Sequence, residues 1–107
     1  ADRAKDMIVA GGLNIYSKEV ELTLQEHPAV EEAAVFGVPD AEFGEAVAAC
    51  VQLRAGKSTT PEVLIEHCRE RIASYKKPRY IHFIAELPKT GTGKIIKGDL
   101  KKKYAPA

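Results

Sequence analysis

Val30-Glu31-Glu32-Ala33-Ala34-Val35-Phe36-Gly37-Val38 is followed, after a short polar interval, by Ala46-Val47-Ala48-Ala49-Cys50-Val51-Gln52-Leu53, and these two runs decide the fold. The first is rich in Val, Ala and Phe and reads as a strand. Pro39-Asp40 opens a turn. The second sets Val47, Ala49, Val51 and Leu53 against Ala48, Cys50 and Gln52, the period-two pattern of another strand. The loop between them holds Glu42, Phe43, Gly44 and Glu45, and an aromatic in so polar a loop is unexpected.

Working outward, Asp6 to Val9 and Leu13 to Tyr16 form two short strands around a Gly11-Gly12 turn, an N-terminal hairpin. Ser17 is a cap residue with Glu19 in the first turn. Val20, Leu24 and His27 lie on one helix face, and Pro28 ends that helix. His27 has no His, Cys or Asp cluster beside it and reads as a packing or capping residue. Downstream, Thr60-Pro61 gives a cap and a proline at the first helical position. Leu64, Ile65, Cys68 and Ile72 supply the apolar stripe. Ser74 to Pro78 is a basic connector carrying Tyr75, Ile81 to Ile84 is a third strand, and Asp99 to Tyr104 a Lys-rich terminal helix. The expected architecture is α+β: a small three-stranded sheet flanked by helices, with an N-terminal two-stranded hairpin.

Composition narrows the class. The chain has 107 residues, 45% hydrophobic and 29% charged, which suits one folded domain and argues against disorder. No apolar run approaches the ~18 residues of a membrane helix. The charged start, Ala1 to Asp6, has no apolar segment of signal-peptide length, so a cytoplasmic location is expected. Cys50 and Cys68 lie in apolar contexts without metal-type spacing and read as buried free thiols; no metal site is expected. Net charge is +1, but residues 1–53 carry three Lys/Arg against ten Asp/Glu, and residues 54–107 thirteen against five. A basic half suggests an anionic partner, such as a phosphorylated small molecule. A nucleic-acid-binding module is an alternative, although no nucleic-acid motif is present.

The strongest chemical signal is Pro88-Lys89-Thr90-Gly91-Thr92-Gly93-Lys94-Ile95. Two glycines let the backbone approach a ligand, and Lys94 can bring a compact, mobile charge to a phosphate or carboxylate. A flexible turn with a solvated lysine is the plainer reading. A nucleotide P-loop is excluded, because Pro88 stands where its first Gly is needed and Ile95 where its Ser or Thr is needed.

Three segments together resemble one family. These are Asp2 to Ile8 followed by Gly11-Gly12-Leu13-Asn14-Ile15-Tyr16 and Glu19-Val20-Glu21, then Gly37-Val38-Pro39-Asp40 through Phe43-Gly44-Glu45, then Pro88 to Lys94. In order and spacing they resemble the C-terminal domain of adenylate-forming enzymes, a superfamily of acyl-CoA synthetases, nonribosomal-peptide adenylation domains and firefly luciferase. The resemblance implies that residues 1–107 are the mobile lid of an AMP-forming acyl-CoA ligase. Its partner would be a large N-terminal domain that binds ATP, with Mg2+, and the acyl group.

Such a ligase joins a carboxylate to ATP and then transfers the acyl group to coenzyme A, and its lid rotates between the steps. By the same resemblance Lys94 is the adenylation lysine, Lys5 the hinge, and Arg3 a residue near the nucleotide ribose and phosphates. Gly11 and Gly12 line the thiol tunnel, and Phe43, Tyr75 and Lys77 meet the CoA nucleotide. Gly98-Asp99 departs from the family, whose members often carry more arginine there. The alternative is the lid of an amino-acid adenylation domain serving a carrier protein. An isolated lid is expected to be inactive.

Overall fold

A three-stranded sheet with a core on each face organises the chain. The computed structural model describes residues 7–104. Strands β1 (Met7–Ala10) and β2 (Leu13–Tyr16) form the expected antiparallel hairpin, and helix α1 spans Ser17–Gln25. Strands β3 (Val30–Asp40) and β4 (Gly44–Leu53) pair antiparallel. Helix α2 (Pro61–Arg71) and a 3-10 turn at Ser74–Lys76 lead to β5 (Tyr80–Phe83), which joins β4 in parallel. Helix α3 is Lys97–Tyr104. The sheet order is β3-β4-β5, and the architecture is α+β.

Strand alternation builds two cores. Ala33, Val35, Val47, Ala49 and Val51 face a cluster with Ile8, Ile15, Val20, Leu24, Leu64 and Cys68, so β1–β2, α1 and α2 cover that side. Ala34, Phe36, Val38, Ala46, Ala48 and Cys50 face the other side, where Leu87 and Leu100 cover them. With both faces buried, β3 and β4 carry near-continuous apolar runs rather than a half-polar alternation.

Several boundaries differ from expectation for identifiable reasons. Strand β3 continues through Pro39 to Asp40, and the turn falls at residues 41–43. Strand β3 is an edge strand, where a missing N–H donor is tolerated. Ser17 does not cap α1 but begins it, and its hydroxyl instead accepts from Lys97 Nζ at 3.2 Å. Thr60 is the cap of α2 as expected, accepting from the Val63 N–H, with Pro61 beside it.

The edge of β3 is closed by side chains. Glu21 Oε2 accepts from the Val35 N–H at 2.9 Å and from Lys97 Nζ at 2.7 Å. One carboxylate therefore satisfies an unpaired strand donor and ties α3 to α1. Lys89 pairs with Glu32 nearby, at 2.6 Å.

The charge asymmetry is largely answered inside the molecule. Six ion pairs among the described residues join the acidic first half to the basic second half: Glu19–Lys76, Glu21–Lys97, Glu26–Arg71, Glu31–Arg54, Glu32–Lys89 and Asp40–Arg79. Much of the basic excess thus serves tertiary pairing, and half-by-half counting overstates the charge left for a partner.

Candidate functional site

The hairpin turn, the β3–β4 loop and the segment after α2 meet around one groove of about 360 Å3. Gly11 and Gly12 have φ of +59° and +81°. Positive φ at both central residues defines the two-residue turn that suits hairpin twist, and glycine reaches it without steric cost. The Gly11 N–H donates to the Phe43 carbonyl at 2.9 Å, and the Val9 N–H donates to Glu45 Oε1 at 2.9 Å. These two bonds fasten the hairpin to the β3–β4 loop and to the start of β4.

Asp40 shapes that loop. Its Oδ2 accepts from the Glu42 N–H at 3.1 Å and the Phe43 N–H at 2.8 Å, the local turn to which aspartate is suited. Its Oδ1 accepts from Arg79 Nη1 at 2.9 Å. The Arg79 guanidinium in turn lies 5.4 Å from the centre of the Phe43 ring, within cation–π range.

The groove unites four residues singled out in the sequence: Gly11, Phe43, Tyr75 and Lys77. Phe43 and Tyr75 are 41% and 45% exposed, so neither aromatic is buried and both are open to a ligand. Lys77 Nζ rests on Ser74, donating to its carbonyl at 3.2 Å and its hydroxyl at 3.4 Å. Gly12 neighbours the groove without lining it. Arg79 lines it as well, although in sequence an arginine just after the basic connector looks like any solvated cation; the position of Asp40 reveals it. Two aromatic faces beside two cations suit a planar heteroaromatic group carrying phosphates.

Lys94 stands apart from this groove. Its loop is a small hairpin in which Thr90 N–H donates to the Lys94 carbonyl at 2.8 Å and Ile96 N–H to the Pro88 carbonyl at 2.9 Å. The Lys94 N–H donates to Thr90 Oγ1 at 3.2 Å. Leu87 and Ile95 anchor the loop in the core on the sheet face away from β1–β2. The Lys94 side chain is exposed. Gly/Thr chemistry therefore presents the lysine on a braced loop. Arg3 and Lys5 lie outside the described residues.

Among the described residues no group of three His, Cys, Asp or Glu could hold a metal, and no helix is long and apolar enough to cross a membrane. The two thiols lie in opposite cores, Cys68 with the hairpin side and Cys50 with the α3 side. Burial pushes each up to about 11. His27 Nδ1 accepts from the Ala29 N–H at 3.1 Å, a capping role. His67 Nε2–H donates to the Thr23 carbonyl at 2.7 Å, joining α2 to α1.

Residues 19–94 match the family model for the AMP-binding enzyme C-terminal domain. The chain belongs to this family. The AMP-binding C-terminal domain is also 50% identical over 97 residues to a long-chain-fatty-acid–CoA ligase of Bacillus subtilis, covering 91% of this chain and 17% of that protein. Among solved structures, an acyl-CoA synthetase of Brucella canis superposes with a TM-score of 0.87 at 45% identity, over 94% of this chain and 19% of that one. The amide bond synthetase McbA of Marinactinospora thermotolerans superposes with a TM-score of 0.91 at 38% identity, over 99% and 22%. The chain spans about a fifth of the length of the relatives it matches.

Proposed function

We propose that this domain is the mobile lid of an AMP-forming carboxylate–CoA ligase, with two working surfaces. The observation that carries the reading is the groove, where Gly11, Phe43, Tyr75 and Lys77 converge although they are scattered through the first three quarters of the chain. The CoA nucleotide is the ligand this surface suits: an adenine to lie against Phe43 and Tyr75, and phosphates for Lys77 and Arg79. Gly11 and Gly12 form the wall of the thiol tunnel, where missing side chains leave a narrow arm room to pass.

The second surface is the Lys94 loop. On a partner N-terminal domain, which supplies the ATP and acyl sites and Mg2+, Lys94 reaches the carboxylate and α-phosphate oxygens as charge shifts between them. A fixed cation stabilises that redistribution. The two surfaces rest on opposite cores of one sheet, which supports a lid that turns to present them in succession. Lys5 is the hinge, and Arg3 adds a contact to the nucleotide. The lid alone makes no acyl adenylate, and the assembled ligase is cytoplasmic.

Kinetics of the intact ligase against CoA test the reading. Tyr75→Ala or Lys77→Met raises the KM for CoA while ATP–pyrophosphate exchange persists. A CoA KM untouched by either change rejects free CoA as the ligand of the groove and favours a carrier-protein or amine acceptor.

A further inference from the structure

We infer that Asp40 is the positioning residue of the CoA groove, holding Phe43 and Arg79 in one arrangement so that an aromatic face and a cation are offered together. The inference rests on the CoA reading of the groove and goes further by assigning the residue that builds it.

The geometry is specific. One carboxylate oxygen of Asp40 receives two consecutive loop N–H groups, those of Glu42 and Phe43, which fixes where the Phe43 backbone leaves the turn. The other receives Arg79 Nη1 at 2.9 Å. Arg79 then lies under the Phe43 ring at 5.4 Å. The three groups close a ring of contacts: carboxylate to loop backbone, loop to aromatic ring, ring to guanidinium, guanidinium to carboxylate.

Burial separates this pair from ordinary surface charge. The Asp40 side chain is 12% exposed while that of Arg79 is 46% exposed. A well-shielded anion keeps its geometry, and the arginine retains further N–H donors for a ligand. The hairpin tip passes close to the Cδ1 edge of the Phe43 ring, since a Cβ built on Gly11 would lie 3.2 Å from Cδ1. The Gly11 backbone at one edge and the guanidinium over the ring thus fix where Phe43 sits, while the residue stays 41% exposed. Asp40 acts through both of its neighbours and touches no reacting atom.

Asp40→Asn in the intact ligase is the decisive variant. Asparagine keeps an acceptor for the loop N–H groups, so the turn survives, but it removes the charge that holds Arg79. The readouts are the KM for CoA, measured from a presupplied acyl adenylate, and ATP–pyrophosphate exchange. Asp40→Asn is expected to raise the CoA KM by roughly fivefold to tenfold, the scale of the net contribution of one hydrogen bond, with exchange retained. Arg79→Met should do the same, and the double variant should lose no more than the worse single one, because both break one unit. A CoA KM within about twofold of the parent for Asp40→Asn, or losses that multiply in the double variant, overturns the positioning role. Phe43→Ala separates the two levels. If it raises the CoA KM while Asp40→Asn does not, only the positioning role fails; if Phe43→Ala leaves the CoA KM unchanged, the groove reading and the positioning role fall together.

Discussion

The Gly11 N–H reaches the Phe43 carbonyl at 2.9 Å, so the tip of the N-terminal hairpin and the β3–β4 loop are one structural unit. Two segments about thirty residues apart are joined by a backbone bond that any residue but proline could donate from position 11. Glycine is required for two other reasons, the positive φ and the nearness of the Phe43 ring.

Gly11→Ala is therefore expected to destabilise the domain by about 1–2 kcal/mol, the cost of a left-handed conformation for a residue with Cβ. It should also displace Phe43 and raise the CoA KM of the intact ligase. Chemical denaturation and CoA kinetics check both effects. Wild-type stability together with wild-type CoA kinetics would show that neither the turn conformation nor the close approach matters.

Stability should fall as the solution is acidified from pH 7.5 to 5.5. Burial, with His67 and Arg71 nearby, holds His27 below the usual histidine value, and burial alone does so for His82. Protonating His27 also removes the acceptor used by the Ala29 N–H. His82 Nε2 is buried with no hydrogen-bond partner among the described residues, and its ring stacks on Tyr104 at 4.6 Å. Because the folded values lie below the unfolded value near 6.5, the unfolded chain binds more protons in this window. The stabilisation is complete above about pH 6.5 and lost as pH falls through the folded values. Urea denaturation at the two pH values should show this loss, and a His27→Asn, His82→Phe double variant should reduce it. A stability that rises on acidification would contradict the argument.

Cys50 and Cys68 should be unreactive in the folded domain. Both are buried, both are held near 11, and they occupy opposite sides of the sheet. A thiol reacts as its thiolate, which is scarce so far below its pKa. Alkylation at pH 8 should be slow in native buffer and rapid in denaturant, and mild oxidation should give no Cys50–Cys68 bond. Rapid native labelling, or that disulfide, would mean that the sheet does not separate them as described.

Legibility in the sequence followed the range of the interaction. Strands β3 and β4, the hairpin and the Thr60 cap were readable because periodicity, turn glycines and capping act over a few residues. Ser17 misled because its partner, Lys97, is eighty residues away. Pro39 misled because its tolerance depends on β3 lying at the sheet edge, which is a matter of strand order. The parallel entry of β5 beside β4 is likewise topological. At the groove, Phe43, Tyr75 and Lys77 came from the family resemblance, whereas Asp40 and Arg79 needed coordinates. In sequence one is a turn residue and the other a surface cation, and only their 2.9 Å contact joins them.

The most direct test of a two-surface lid is the separate measurement of both half-reactions for Lys94→Ala in the intact ligase. The account predicts that ATP–pyrophosphate exchange falls by roughly a hundredfold to a thousandfold, as when a transition-state charge loses its fixed partner, while thioester formation from presupplied acyl adenylate stays within about twofold of the parent. Equal loss in both half-reactions would contradict it.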